Sequence, residues 1–461
     1  MTAGGTRAGQ DAEDLDIEEV LALVNEGHGP SAHGDSVPAP APRPHGSGRT
    51  GRPGEDRHHR STPWPDARET AARAARAAVK AARRAPVQVP LDAALGLTLA
   101  APLTALTDLP SFDTSAMDGW AIAGPGPWAV REDGVLAGHA EAAALTDGEA
   151  VRIATGARIP PDTTAVLRSE HGTIDAKGRL HAARDIEPGQ DIRPRGQECR
   201  TGDHLLATGT IVTPAVLGLA AAAGYDTLTA VPRPRVEVLV LGDELLTEGL
   251  PHDGLIRDAL GPMLPPWLRA VGAEILAVRR LGDSAKALHK ALTTSRADLV
   301  VTTGGTAAGP VDHVHPTLER MGADLLVDGV QVRPGHPMLL ARLREDQHLV
   351  GLPGNPLAAV SGLLTLAEPL LRTLAARPAP ESYTLPLKEA VHGHPQDTRL
   401  VPVVLRGDHA VPLHYHGPAM LRGMAAADAL AVVPPGGARA GQETALLDLP
   451  WAAAGIEVCF T

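Results

Sequence analysis

The chain has 461 residues and a formal charge of −12 at pH 7, from 42 Lys plus Arg against 54 Asp plus Glu. That length points to about three domains, and the acidic balance with only 2% aromatics excludes broad nucleic-acid coating and base-stacking platforms. Two cysteines, Cys199 and Cys459, exclude a disulfide framework or a Cys-built metal cluster, no uninterrupted apolar run is long enough to span a membrane, and the N-terminus lacks the basic-then-apolar order of a secretory signal. The expectation is a soluble, cytoplasmic protein that handles a small anion.

In chain order, residues 1–64 are expected to be a disordered tail. From 27 to 65 the composition is Gly, Pro, His, Ser and Arg, which cannot bury enough apolar surface to offset chain entropy. One island, Leu15, Ile17, Val20, Leu21, Leu23 and Val24 among acidic residues, reads either as a docking helix for a partner over 11–26 or as a frayed tail helix. An Ala/Arg helix is expected over 68–85, in a helical linker domain made of 65–112 and 205–234, with a second helix over 214–224 ending at a glycine. Between these segments, 113–204 shows short strands broken by Gly, Pro and Asp, a β-rich insertion with strands near 119–123, 149–153 and 164–168. Residues 235–378 repeat a buried strand, a Gly-rich turn and a helix, with helices over 284–294 and 357–374. This is the pattern of an α/β domain with a parallel-rich sheet and ligands at the strand C-termini. Residues 379–461 return to short strands, a small β domain.

Four glycine turns follow apolar strands in the α/β stretch: Gly242-Asp243-Glu244; Thr303-Gly304-Gly305, leading to Gly309 and Asp312; Arg333-Pro334-Gly335-His336-Pro337; and Gly351-Leu352-Pro353-Gly354-Asn355-Pro356. Glycine lets backbone approach a ligand, and N–H groups at a following helix start bind anions. A P-loop sequence and a GxGxxG after the first strand are both missing, which argues against an NTPase or dinucleotide site. Glu244, Asp258, Asp283 and Asp312 flank the turns; together with substrate phosphates they could hold Mg²⁺, or singly they could cap helices. The pairs His313/His315 and His414/His416 lack a third ligand and read as surface residues.

The segments SAMDGWAI, RIATGARIP, RPRGQECRTGD, GDEL, TTGGTAAGPVDH, RPGHP and GLPGNP occur in the order seen in the molybdopterin molybdenumtransferase family, the MoeA and gephyrin C-terminal type. The resemblance runs from about residue 67 to the C-terminus. It implies a homodimer of four-domain subunits whose α/β domain is like that of MoaB and Mog proteins. It also implies a reaction in which molybdate is inserted into adenylylated molybdopterin, with AMP released and Mg²⁺ required. Carried onto this chain, it gives Asp118, Glu198 and Glu244 as catalytic, with Asp118 and Glu198 facing the α/β domain of the other subunit. Glu244, Asp283 and Asp312 become metal ligands. Gly242, Asp243, Thr303, Gly304, Gly305, Gly351, Pro353, Gly354, Asn355 and Pro356 bind the pterin phosphate and nucleotide. Arg333, His336, Pro337 and Arg399 bind molybdate.

The chain departs from the family around the oxyanion. Arg333 and His336 replace two lysines of a KPGKP turn, while Ala358 and Pro418 replace serine donors. Glu198 replaces an aspartate, and Pro262, Pro265 and Pro266 are expected to interrupt the helix after Asp258. The surviving acidic set favours the enzyme. The lost donors favour a paralogue that binds molybdopterin or a partner without inserting metal.

Overall fold

A computed structural model describes residues 61–82, 85–135, 143–306 and 312–451. The tail island, Gly309 and Cys459 lie outside the described residues. The described residues divide into two compact units, one within 85–232 and one that joins 61–82 to residues from 233 to 451.

The 85–232 unit holds two layers. A three-stranded antiparallel sheet of Val87–Pro90, Thr227–Val231 and Thr98–Leu99 packs with the helix Pro214–Ala222 over Leu97, Leu99, Leu103, Val216 and Leu228. Thr213 caps that helix by accepting from the Val216 N–H, and Pro214 sits at the first helical position, where a missing N–H costs nothing. The six-stranded sheet beyond it is buried on both faces. Along Gly119–Ile122 the alternation sends Trp120 and Ile122 into one cluster and Ala121 into another. This layer contains the expected strands Glu149–Ile153 and Ala165–Arg168.

The second unit is built on a six-stranded sheet in the order Glu274–Leu281, Arg235–Leu241, Leu299–Thr303, Gln347–Leu352, Leu339–Arg344, Asp324–Asp328. The first four strands are parallel, and Leu339–Arg344 runs against its neighbours. The helix Leu260–Ala270 passes straight through Pro265 and Pro266. The expected interruption does not occur because Leu264, Pro265, Trp267 and Leu268 are buried in the main core, and that burial outweighs the missing backbone bonds. The long helical rod Pro356–Leu374 is apolar and long enough to cross a membrane, but 83% of it is buried inside the protein, so it is a core helix. Its middle, Leu363–Ala367, widens into a π-turn just before Pro369, which has no N–H to donate.

The C-terminal strands form one sheet with Val330–Arg333: Thr62–Pro63, Val330–Arg333, Thr398–Arg406, Ala429–Val433, Glu443–Asp448, Thr384–Pro386. The Ala/Arg helix runs Trp64–Ala82, earlier than expected. It packs an alanine stripe, Ala67, Ala71, Ala74, Ala75 and Ala78, onto the rod's last segment, Glu368–Leu374, rather than grouping with 205–234. Trp64 Nε1 donates to Thr365 Oγ1 at 3.0 Å, and the Arg68 guanidinium lies 5.2 Å from the Trp64 ring centroid.

Ordered structure therefore includes Thr62, Pro63 and Trp64, which the tail boundary at 64 would discard. A truncation removing 1–64 should melt below one removing 1–60, by the equivalent of roughly 1–2 kcal/mol for a partly buried aromatic and a short strand. Scanning calorimetry on both proteins checks this. Equal melting temperatures would show that Trp64 anchors nothing.

His348 is 1% exposed on the strand Gln347–Leu352, and neither ring nitrogen has a hydrogen-bond partner. Burial, aided by nearby Arg342, pushes its pKa from 6.5 down to about 4. Between those values the unfolded chain takes up a proton that the folded chain refuses. Stability is therefore full above pH 6.5 and falls as pH drops towards 4, by roughly 3 kcal/mol in all. His348→Leu should flatten this slope, measured by urea unfolding at pH 7 and 4.5. A variant with the wild-type slope would refute the neutral buried imidazole.

Candidate active site

From Arg235–Leu241 the chain crosses through Leu260–Ala270 to Glu274–Leu281 on one side. It then returns through Ala285–Thr294 to Leu299–Thr303 on the other side of the first strand. Strand order reverses between Leu241 and Thr303, and such a switch opens a crevice beyond the carboxyl ends. A cavity of about 100 Å³ lies there, lined by Gly242, Glu244, Gly282, Asp283, Ser284, Gly304, Gly305 and His313. Gly242 has φ 132°, and a Cβ there would stand 2.4 Å from a Glu244 carboxylate oxygen. A Cβ on Gly282 would stand 2.3 Å from Asp243 Oδ1. Gly242 is favoured by its φ of 132°, whereas Gly282 leaves room for the carboxylate of the neighbouring turn. Asp243 Oδ2 accepts the Asp283 N–H at 3.3 Å and ties the two turns together. Larger cavities, of about 700 and 540 Å³, lie in the 85–232 unit and contain none of the expected site residues.

The Gly351–Pro356 turn joins the same edge. Thr303 and Leu352 are register partners, the Gly304 N–H donates to Leu352 O at 2.9 Å, and a Cβ on Gly354 would lie 3.8 Å from Gly304 Cα. Gly351 itself is packed under Leu339 and Thr306. The helix start that follows was expected to offer N–H groups to an anion. It does not: Pro356 has none, and the Leu357 and Ala358 N–H groups both donate to Pro418 O, at 2.9 and 3.2 Å.

The expected metal ligands separate into two kinds. Glu244 and Asp283 are exposed on the cavity, with no hydrogen bond or ion pair from either carboxylate among the described residues. Asp312 is committed. Its Oδ1 accepts the Val314 N–H at 2.9 Å and its Oδ2 meets His315 Nδ1 at 2.8 Å, while His315 Nε2 meets Asp328 Oδ1 at 2.9 Å. A ring bonded through both nitrogens to acceptor-only carboxylates is an imidazolium. Burial opposes that charge, but the hydrogen bonds to Asp328 and Asp312 carry the His315 pKa above its ordinary value. His315 is thus a structural clamp rather than a surface residue. Asp258 is committed too, accepting the Gly261 N–H at 2.8 Å and pairing with Arg280 at 2.5 Å. Among the described residues no three His, Cys, Asp or Glu side chains converge on a metal position.

Of the four expected oxyanion residues, the ladder brings two together. Arg333 and Arg399 are register partners on adjacent parallel strands, and Pro334 to Pro337 form the turn after Arg333. That turn abuts the rod: a Cβ on Gly335 would lie 2.9 Å from Ala358 O. His336 Nδ1 bonds to Val330 O at 2.9 Å. Arg333 Nε donates to buried Asp397 at 2.7 Å. Arg399 Nη1 donates to His392 O, and its Nη2 meets His416 Nδ1 at 3.2 Å.

Asp118 and Glu198 lie in the 85–232 unit. Asp118 Oδ1 accepts from the Thr155 N–H at 2.6 Å and the Thr155 hydroxyl at 2.9 Å; these bonds hold its pKa below the usual carboxylate value. Glu198 is exposed, its N–H donating to Leu109 O. The sequence reading missed His315, His416 and Asp397 as site-shaping groups. The i, i+3 spacing of Asp312 and His315 was a usable signal, whereas Asp397 and His416 reach their arginines only through the tertiary ladder.

Asp312→Asn should lower the melting temperature, because a neutral amide weakens the clamp on His315, whereas Asp283→Asn should leave it within about 1 °C since that carboxylate is solvated. Calorimetry on the two variants separates the anchoring carboxylate from the cavity-facing one. Equal melting temperatures would put Asp312 among the free groups.

Three family models match consecutive stretches: the MoeA N-terminal region (domain I and II) over 63–224, a probable molybdopterin binding domain over 237–373, and the MoeA C-terminal region (domain IV) over 384–449. Molybdopterin molybdenumtransferase 2 of Mycobacterium tuberculosis is 35% identical over 314 residues, covering 64% of this chain and 76% of the relative. A molybdopterin molybdenumtransferase of Staphylococcus aureus is 29% identical over 298 residues, 62% of this chain and 71% of the relative. The fold matches the crystal structure of a molybdopterin biosynthesis MoeA protein from Pyrococcus horikosii, with TM-score 0.65, 24% identity, and coverage of 85% of this chain and 99% of that one. The glycine turns at the strand switch and these matches lead to one conclusion: the chain belongs to the MoeA family of molybdopterin molybdenumtransferases.

Proposed function

We propose that this chain is a molybdopterin molybdenumtransferase of molybdenum cofactor biosynthesis. It takes adenylylated molybdopterin and molybdate, forms the metal–dithiolene bonds and releases AMP, in the cytoplasm and as a homodimer. The observation that carries this reading is the crevice at the strand switch in a chain of this family. There the Gly242, Gly282 and Gly304-Gly305 turns face one small cavity with two carboxylates that have no partner among the described residues. Backbone at Gly304 can approach phosphate closely, since a Cβ there would meet only Leu241 O, at 3.5 Å.

Glu244 and Asp283 fit a hard cation held by one or two carboxylates together with substrate phosphate oxygens, while each Asp312 oxygen already accepts one hydrogen bond. Mg²⁺, when bound, supplies charge neutralisation at the phosphates. The protein's part is positioning: the glycine turns seat the phosphates, Ser284 starts the helix beside them, and the Gly351–Pro356 turn closes the same edge. Arg333, His336, Pro337 and Arg399 form the molybdate-binding corner. Asp118, kept ionised by Thr155, and Glu198 act on the α/β site of the second subunit, which is why a dimer is required.

The test is AMP release from adenylylated molybdopterin with Mg²⁺, with and without molybdate. Molybdate-dependent release is expected, lost by about 10²-fold in Glu244→Gln, and light scattering should give twice the 47.7 kDa chain mass. Absence of release under both conditions would refute the enzyme, and a monomer would refute the composite site.

A further inference from the structure

The oxyanion corner contains two arginines side by side, and they are not equivalent. Arg333 is paired with Asp397, itself only 8% exposed, so its charge is largely compensated. Arg399 is partly buried, yet both of its partners are neutral acceptors, the His392 carbonyl and His416 Nδ1; no carboxylate pairs with it among the described residues. A guanidinium removed from water without a counter-ion leaves an uncompensated charge that an entering anion would satisfy. Arginine has no acceptor, so His416 Nδ1 must accept and the ring proton sits on Nε2. Burial, and then the Arg399 charge, keep the His416 pKa below its ordinary value, which preserves that lone pair. Two residues further on, Pro418 O accepts the first two N–H groups of the rod.

We propose that His416 is a positioning residue that orients Arg399 as the main charge for the oxyanion, in a corner where Ala358 and Pro418 stand in place of hydroxyl donors. This rests on the molybdenumtransferase reading. Asparagine places an acceptor oxygen close to the Nδ1 position of histidine, so His416→Asn should keep the orientation, whereas leucine cannot.

The test is calorimetric titration of the full-length protein with sodium molybdate, alongside AMP release from adenylylated molybdopterin. Circular dichroism and melting temperature confirm the fold of each variant. Arg399→Gln and His416→Leu should each weaken molybdate binding by about tenfold or more, with His416→Asn returning to within about threefold of wild type. His416→Leu should raise the molybdate concentration for half-maximal AMP release and leave the rate at saturating molybdate nearly unchanged. Wild-type affinity in His416→Leu, or equal losses in the Leu and Asn variants, would overturn the positioning role while leaving the enzyme intact. A wild type that neither binds molybdate nor releases AMP would overturn both.

Discussion

The first turn of the rod Pro356–Leu374 depends on a single carbonyl. Pro418 O takes the N–H groups of both Leu357 and Ala358, and Asn355 O takes that of Ala359. A buried helix start must find partners for these donors or lose about 1–3 kcal/mol for each. By satisfying them, the C-terminal segment is pinned to the α/β core at the point where the Gly351–Pro356 turn leaves the sheet. The same contact removes the helix start as an anion site, so charge for an oxyanion has to come from side chains. It also sets His416 at a fixed offset from the pinned proline.

The ladder supplies the other half. Because Val332 pairs with Thr398 and Arg333 with Arg399, two arginines far apart in the chain emerge next to one another, which like charges resist. Asp397 resolves the conflict by neutralising Arg333 from the residue just before Thr398. Carboxylates elsewhere divide in the same manner. Asp258 and Asp312, with side chains 2% and 10% exposed, are each held by a backbone N–H and a cationic side chain and serve as anchors. Glu244 and Asp283 remain on the cavity surface without partners among the described residues.

The glycine turns were readable from sequence because a sharp bend at a strand end favours glycine, as at Gly242 with φ 132°. Strands such as Glu149–Ile153 were readable as short segments between Gly, Pro and Asp turn signals. What could not be read was decided by tertiary burial. Pro265 and Pro266 sit inside a helix because Trp267 and Leu268 hold that helix in the core. The helix at Trp64 begins before its Ala/Arg run because the Trp64 ring bonds to Thr365, 301 residues away. Asp312 looked like a metal ligand by its motif, yet Asp328 and His315 turn it into an anchor through a contact that spacing along the chain only half reveals.

An acidic chain that captures a dianion must do so locally. The net charge of −12 repels anions at long range, but beyond about 8 Å physiological salt screens most of that field. At the proposed corner the balance is reversed, since Arg399 there has only neutral partners among the described residues and Arg333 is paired with Asp397. Recognition then depends on desolvation rather than on steering: the guanidinium has already lost part of its water on folding, so less hydration must be removed when an anion arrives. A planar guanidinium presents paired N–H donors to two oxygens of one tetrahedral anion, where an ammonium would present a point charge. With hydroxyl donors absent at Ala358 and Pro418, that paired geometry is useful only if the guanidinium plane is held still. Its two neutral acceptors, His392 O and His416 Nδ1, hold that plane.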